Sequence, residues 1–160
     1  MATPTLYRSL PTEQRVALVQ HLIKADKANR ALFVARLAGL PGGFRTVTLQ
    51  SWPADKLAKE VVRRNAEKPD DEMDLLRVLY IEMQPEVQIA FLDTAGVKRD
   101  GANIHESVEA PYTDEESVKR AAALVQEEFG DLGRHYLRTI AKYNRDGWPG
   151  IDAIIDALPA

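Results

Sequence analysis

The sequence predicts an all-α fold: a compact single-domain bundle of about eight helices in antiparallel pairs, with one small β-hairpin near 97–104. Three observations predict it. Apolar residues recur at helical spacing through most of the chain, and helix-start and helix-stop residues bracket those stretches. The densest apolar segment, 73–96, also reads as two helices folded back on each other.

Length and composition agree. A chain of 160 residues suits one domain, 1–160, able to bury roughly 68–70% of its unfolded surface. Apolar residues make up 45% and charged residues 28%, the balance of a soluble globular protein. With no cysteine, disulfides, thiolate metal sites and cysteine catalysis are excluded. The opening residues lack a basic-then-apolar signal pattern, so a cytoplasmic location is expected.

Taken in order, residues 1–10 form an arm with Leu6, Tyr7 and Leu10 available for packing. Thr12 is placed to cap a helix over about 13–25, whose stripe is Val16, Val19, Leu22 and Ile23, with His21 at its boundary. A second, largely buried helix covers about 27–38. The glycine-rich connector 39–50 has no preceding strand and no Gly-Lys-Ser/Thr, so it is not a phosphate-binding loop. Within it, Thr46–Gln50 alternates polar and apolar residues and reads as a short extended piece with Val47 and Leu49 on one side. Trp52-Pro53 opens a helix of about 53–66 with Leu57, Val61 and Val62 inward. Acids at 70–72 suit a helix start, where carboxylates meet free N–H groups.

The central stretch 73–96 is divided by Pro85, which lacks an N–H, pushes Gln84 out of the helical region and suits the first position of a new helix. One helix is expected over about 71–83 and another over about 85–95, closed by Gly96 as a left-handed cap. Five charged residues and a proline within these 24 residues rule out a membrane span. Asp100-Gly101 signals a type I′ hairpin turn. Thr113 with Glu116 three residues on forms a capping box for a helix reaching about 129. A helix of about 132–144 carries Leu132, Tyr136, Ile140 and Tyr143 as its stripe, leaving His135 exposed. Trp148-Pro149 starts a last short helix.

Charge is uneven. Over 1–68 there are 12 Lys/Arg against 5 Asp/Glu, a net of +7; over 69–160 there are 9 against 19, a net of −10. The best basic face is Lys56, Lys59 and Arg63 on one side of the 53–66 helix, with Arg64 at its flank. No aromatic residue interleaves with these cations, so base stacking lacks a platform on that helix. His105-Glu106-Ser107-Val108-Glu109 is a partial zincin pattern with Glu109 where the second histidine belongs.

No residue group forms a catalytic, metal or cofactor signature. The sequence therefore points to a non-enzymatic helical interaction module, an adaptor, regulatory or scaffold subunit, with a protein partner or a second copy of itself. One alternative is a nucleic-acid-associated protein using Lys56, Lys59, Arg63 and Arg64 with Arg30 or Arg36 nearby. Another is an enzyme or small-ligand binder with His105, Glu106, Glu109 and Asp93, joined by His135 and Tyr136 if the fold gathers them.

Overall fold

The first two helices meet at a single residue. α1 (Thr12–Ala25) and α2 (Lys27–Ala38) flank Asp26, whose extended backbone breaks the helix and whose carboxylate accepts the Ala28 amide at 2.7 Å. The computed structural model describes residues 5–159. Within them lie nine α-helices and one two-stranded antiparallel hairpin, the all-α architecture that the periodicity predicts. Among the described residues no helix is long and apolar enough to cross a membrane. The chain divides into two compact units, Met1–Leu75 and Leu76–Ala160.

In the first unit α1 packs chiefly along α4 (Ala54–Arg63) and also on α2. Val19, Ile23, Phe33, Leu37, Leu57 and Val61 interlock in its core. α1 is capped by Pro11 rather than Thr12; the proline carbonyl accepts the Arg15 amide at 3.1 Å and no side chain caps the helix. α2 is less buried than its composition implies. Phe33, Val34 and Leu37 are covered, while Leu32 is 45% exposed on the outer side.

α3 (Thr46–Gln50) corrects the extended piece expected there. One helical turn, closed by Leu49 N–H to Arg45 C=O at 3.1 Å, sends Leu49 into the core and leaves Val47 79% exposed. A strand would have put both on one side; two residues along a helix lie about 200° apart. α4 ends in a Schellman motif. Asn65 takes the left-handed position at φ 51°, the Ala66 amide bonds Val61 C=O at 2.9 Å, and the Asn65 amide bonds Val62 C=O at 3.1 Å.

Of the arm expected over 1–10, residues 1–4 lie outside the described residues, and the rest is fastened by buried polar groups. The Tyr7 hydroxyl donates to the Glu67 carboxylate at 2.7 Å, and the Tyr7 amide donates to Glu72 at 3.0 Å. Arg15, on α1, reaches the same Glu67 oxygen at 3.0 Å. A 3₁₀ turn over Pro69–Asp71 leads into α5 (Glu72–Val78), and the Asp71 carboxylate accepts the Lys68 amide at 2.9 Å, the role expected of these acids.

In the second unit the helical path after Val78 widens into a π turn over Leu79–Met83, where Gln84 N–H reaches Leu79 C=O. A plain α-helix to 83 is the expectation this corrects. Gln84 then leaves the helix, and Pro85 begins α6 (Pro85–Ala95) as its sequence position dictates. Gly96, at φ 78°, closes α6 with Val97 N–H to Leu92 C=O at 2.9 Å. α6 packs on the π turn and most extensively on α7 (Glu115–Phe129).

Between α6 and α7, β1 (Arg99–Asp100) and β2 (Asn103–Ile104) pair with Arg99 opposite Ile104 and Asp100 opposite Asn103. The turn is thus Gly101-Ala102, not Asp100-Gly101. Only Gly101 has positive φ, 58°, the pattern of a type II′ turn rather than the expected I′. The N-cap moves likewise, and no capping box forms. Asp114 caps α7 by accepting the Ser117 amide at 2.8 Å, while Thr113 donates to Ala95 C=O at 2.8 Å. Gly130 alone joins α7 to α8 (Asp131–Tyr143), and α9 (Ile151–Asp156) follows a 3₁₀ turn at Arg145–Gly147. Trp148 does not start α9. It is buried edge-on to Phe91 at 5.0 Å, Phe91 meets Tyr136 at 5.6 Å, and Tyr136 meets Tyr80 at 5.1 Å.

Candidate functional site

Lys56, Lys59 and Arg63 recur at i, i+3 and i+7 on the solvent side of α4, but the structure gives the four predicted cations different tasks. Arg63 is taken up by Glu60: its Nε lies 3.0 Å from Oε2, and its terminal nitrogen bonds Oε1. These hydrogen bonds hold the Glu60 carboxyl below the usual glutamate range. Arg64 is half-buried and donates to Pro41 C=O at 3.0 Å, tying the 39–45 loop to the end of α4. Lys59 is exposed and makes no ion pair among the described residues.

Lys56 has an aromatic partner. Its ammonium sits 4.3 Å from the ring centroid of Trp52, and Trp52 meets the Phe44 ring edge-on at 4.7 Å. Phe44 is 45% exposed, and Val47, three residues on, is far more open. Sequence reasoning found no aromatic on this helix because neither ring belongs to it. The turn of α3 carries Phe44 and Trp52 to the edge of α4. A signal was present: Trp52 stands four residues before Lys56, the spacing at which helix-start neighbours meet. The other cations considered, Arg30 and Arg36, are committed internally. Arg30 donates to the carbonyls of Gln50 and Trp52 at 3.1 and 2.6 Å, and Arg36 grips both oxygens of Asp71 at 2.7 and 3.3 Å.

The histidines lie apart in role and setting. His105 is half-exposed, with Nδ1 accepting the Ser107 amide at 3.0 Å and 2.7 Å from the Ser107 hydroxyl. Residues 105–109 are not helical, so His105 and Glu109 share no helical face; Glu106 and Glu109 are exposed. Asp93 is exposed and bonded to both nitrogens of the Arg99 fork at 2.7 and 3.1 Å, which keeps its carboxyl below the usual range.

His135 is not exposed as its wheel position implied; it is 8% exposed, with Nδ1 2.5 Å from the Tyr80 hydroxyl. α8 packs against α6, α7 and α9, so its covered face is wider than one stripe, and the π turn lays Tyr80 over its edge. Tyr136 donates to the Gln88 side chain at 3.2 Å, and Gln88 in turn donates to Ala102 C=O in the hairpin turn. Burial pushes the Tyr80 and Tyr136 hydroxyls well above the ordinary tyrosine range, so both keep their protons at neutral pH.

Comparison with protein-family models, curated proteins and solved structures finds no match.

A cleft of about 390 Å³ lies between α7 and α9, lined by Ala153, Ile154, Ala157 and Leu158 with Glu115 and Lys119 at its edge. Its two charged residues pair with each other at 3.1 Å, and no histidine lines it. Among the described residues no three His, Asp or Glu side chains gather to hold a metal ion. The 44–59 stretch presents to solvent two apolar side chains, Phe44 and Val47, a half-covered indole, and the cations Arg45, Lys56 and Lys59.

Proposed function

We propose that this protein is a cytoplasmic, non-enzymatic helical module that binds a protein partner through the surface formed by α3 and the outer side of α4. The observation that carries this reading is the outward placement of Phe44, whose ring meets Trp52, and of Val47 three residues on. A buried core is available next to them, yet only Leu49 of α3 enters it. Exposed aliphatic and aromatic groups grouped in this way, with cations at their edge, resemble the anchors and rim of a protein interface.

The test is partner capture from lysate by wild type and by Val47→Asp and Phe44→Ser, with thermal melts confirming that the variants fold. A stoichiometric partner lost in both variants supports the proposal; equal capture by all three proteins overturns it.

Nucleic-acid binding is the weaker reading. Arg63, Arg64, Arg30 and Arg36 are spent on internal partners, leaving few cations for phosphates. A gel shift at low salt that disappears in Lys56→Glu/Lys59→Glu would reverse this preference.

A further inference from the structure

From the charges around Phe44 and Val47, we infer that the partner offers an acidic segment bearing aliphatic or aromatic anchors. This specifies the partner's chemistry and rests on the interaction reading above. Three exposed cations share the 44–59 stretch with these apolar groups. Arg45 is exposed at the N-cap of α3, next in the chain to Phe44; Lys56 lies on Trp52; Lys59 is one helical turn along from Lys56. None of the three has a carboxylate partner among the described residues. Of the acids on their face of α4, Glu60 is neutralised by Arg63, and exposed Asp55, one turn before Lys59, offsets one of the three cations and leaves a net of two. A local excess of positive charge thus surrounds side chains that water solvates poorly.

The two halves of this chemistry select one occupant. An oligonucleotide would satisfy the cations but leave Val47 without an apolar neighbour. Its bases would also find the Trp52 ring already met by the Lys56 ammonium and the edge of Phe44. A neutral apolar segment would cover Phe44 and Val47 while stranding three cations at the rim. An acidic segment with apolar anchors satisfies both, with charge steering the encounter and the anchors supplying burial.

The probe is a pair of helical peptides with identical Leu and Phe spacing, one rich in Glu and one in Lys, titrated into the ¹⁵N-labelled full chain. The chain has two tryptophans, so the Trp52 indole N–H is assigned from Trp52→Phe and read against Trp148. The expected result is that the Glu peptide shifts the Trp52 signal and not that of Trp148. Affinity should fall severalfold as salt rises through the range where the Debye length drops below about 8 Å. Val47→Asp should abolish the shift, and Lys56→Glu/Lys59→Glu should lose the Glu peptide and gain the Lys peptide. Equal response to both peptides, response to neither, or response only to an oligothymidine of matched length overturns the inference. So does a Val47-dependent dimer in place of peptide binding. If a lysate partner is lost with Val47→Asp but retained by Lys56→Glu/Lys59→Glu, the interaction reading stands and the acidic chemistry alone falls.

Discussion

Gly133 has no room for a side chain. A Cβ built there would lie 2.2 Å from the Val125 carbonyl oxygen, so α7 and α8 approach each other through backbone that cannot retreat like a flexible side chain. Gly133→Ala should therefore lose about 1–3 kcal/mol by urea denaturation, despite alanine's better helix propensity, because overpacking outweighs it. A variant as stable as wild type would mean the helices can separate at no cost. At the opposite end of the polarity scale, Arg15 and Glu67 form a buried pair, with Arg15 Nε and Glu67 Oε1 left without hydrogen bonds. Removing only the cation strands a buried carboxylate. Arg15→Met should cost on the order of 3–5 kcal/mol, and adding Glu67→Gln should recover part of that loss. Glutamine removes the uncompensated charge yet still accepts from the Tyr7 hydroxyl. A double variant less stable than Arg15→Met alone would contradict this account.

At the scale of elements, the sequence was most readable where backbone chemistry is local. The helix over 27–38 is found where periodicity places it, Pro85 starts α6, and Gly96 closes it in the left-handed conformation. These features follow from a missing N–H or a missing Cβ, which need no tertiary neighbour. Features set by neighbours were misread. Val47 and Leu49 alternate like strand residues, but the pull of the core on Leu49 is met equally by one helical turn. His135 looked exposed because a wheel cannot show that several helices surround α8. The Lys56–Trp52–Phe44 grouping was half legible: the cations were named, the rings that meet them were not. Even capping was decided by geometry, since Thr113 turns to the end of α6 and yields the cap to Asp114. That shift is testable. Asp114→Ala should cost about 0.5–2 kcal/mol, whereas Glu116→Ala should stay within about 0.5 kcal/mol, because Glu116 is exposed and closes no capping box. Reversed magnitudes in thermal denaturation would restore the box predicted from the sequence.

For the whole molecule, ionisation sets a window of stability bounded on both sides. On the acid side, Asp71, Asp93, Asp114 and Glu60 are held below their ordinary values. Burial works against Asp71, but Arg36 and the Lys68 amide outweigh it; Arg99, the Ser117 amide and Arg63 act on the others. A depressed carboxyl contributes stability above its unfolded value and loses it as pH falls through the folded one. Stability should hold above the ordinary 4.5 of glutamate and decline below it, the aspartates adding to the loss below their ordinary 3.8. On the alkaline side the governing groups are Tyr7, Tyr80 and Tyr136, each driven above the ordinary 10.0 first by burial, with the Glu67 charge adding to the effect at Tyr7. Folding favours their protonated forms, so their contribution is complete below pH 10 and drains away above it, when the unfolded chain releases protons that the folded chain retains. An alkaline titration followed at 295 nm for phenolate and by far-ultraviolet circular dichroism for helix tests this directly. Tyr80 and Tyr136, both in the second unit, should ionise together with the loss of that unit's helix, in a transition whose midpoint moves down in Gly133→Ala. Ionisation of all five tyrosines while the helical signal persists would show that these hydroxyls reach solvent in the folded protein, and the sealed aromatic core described for Tyr80 and Tyr136 would have to be abandoned.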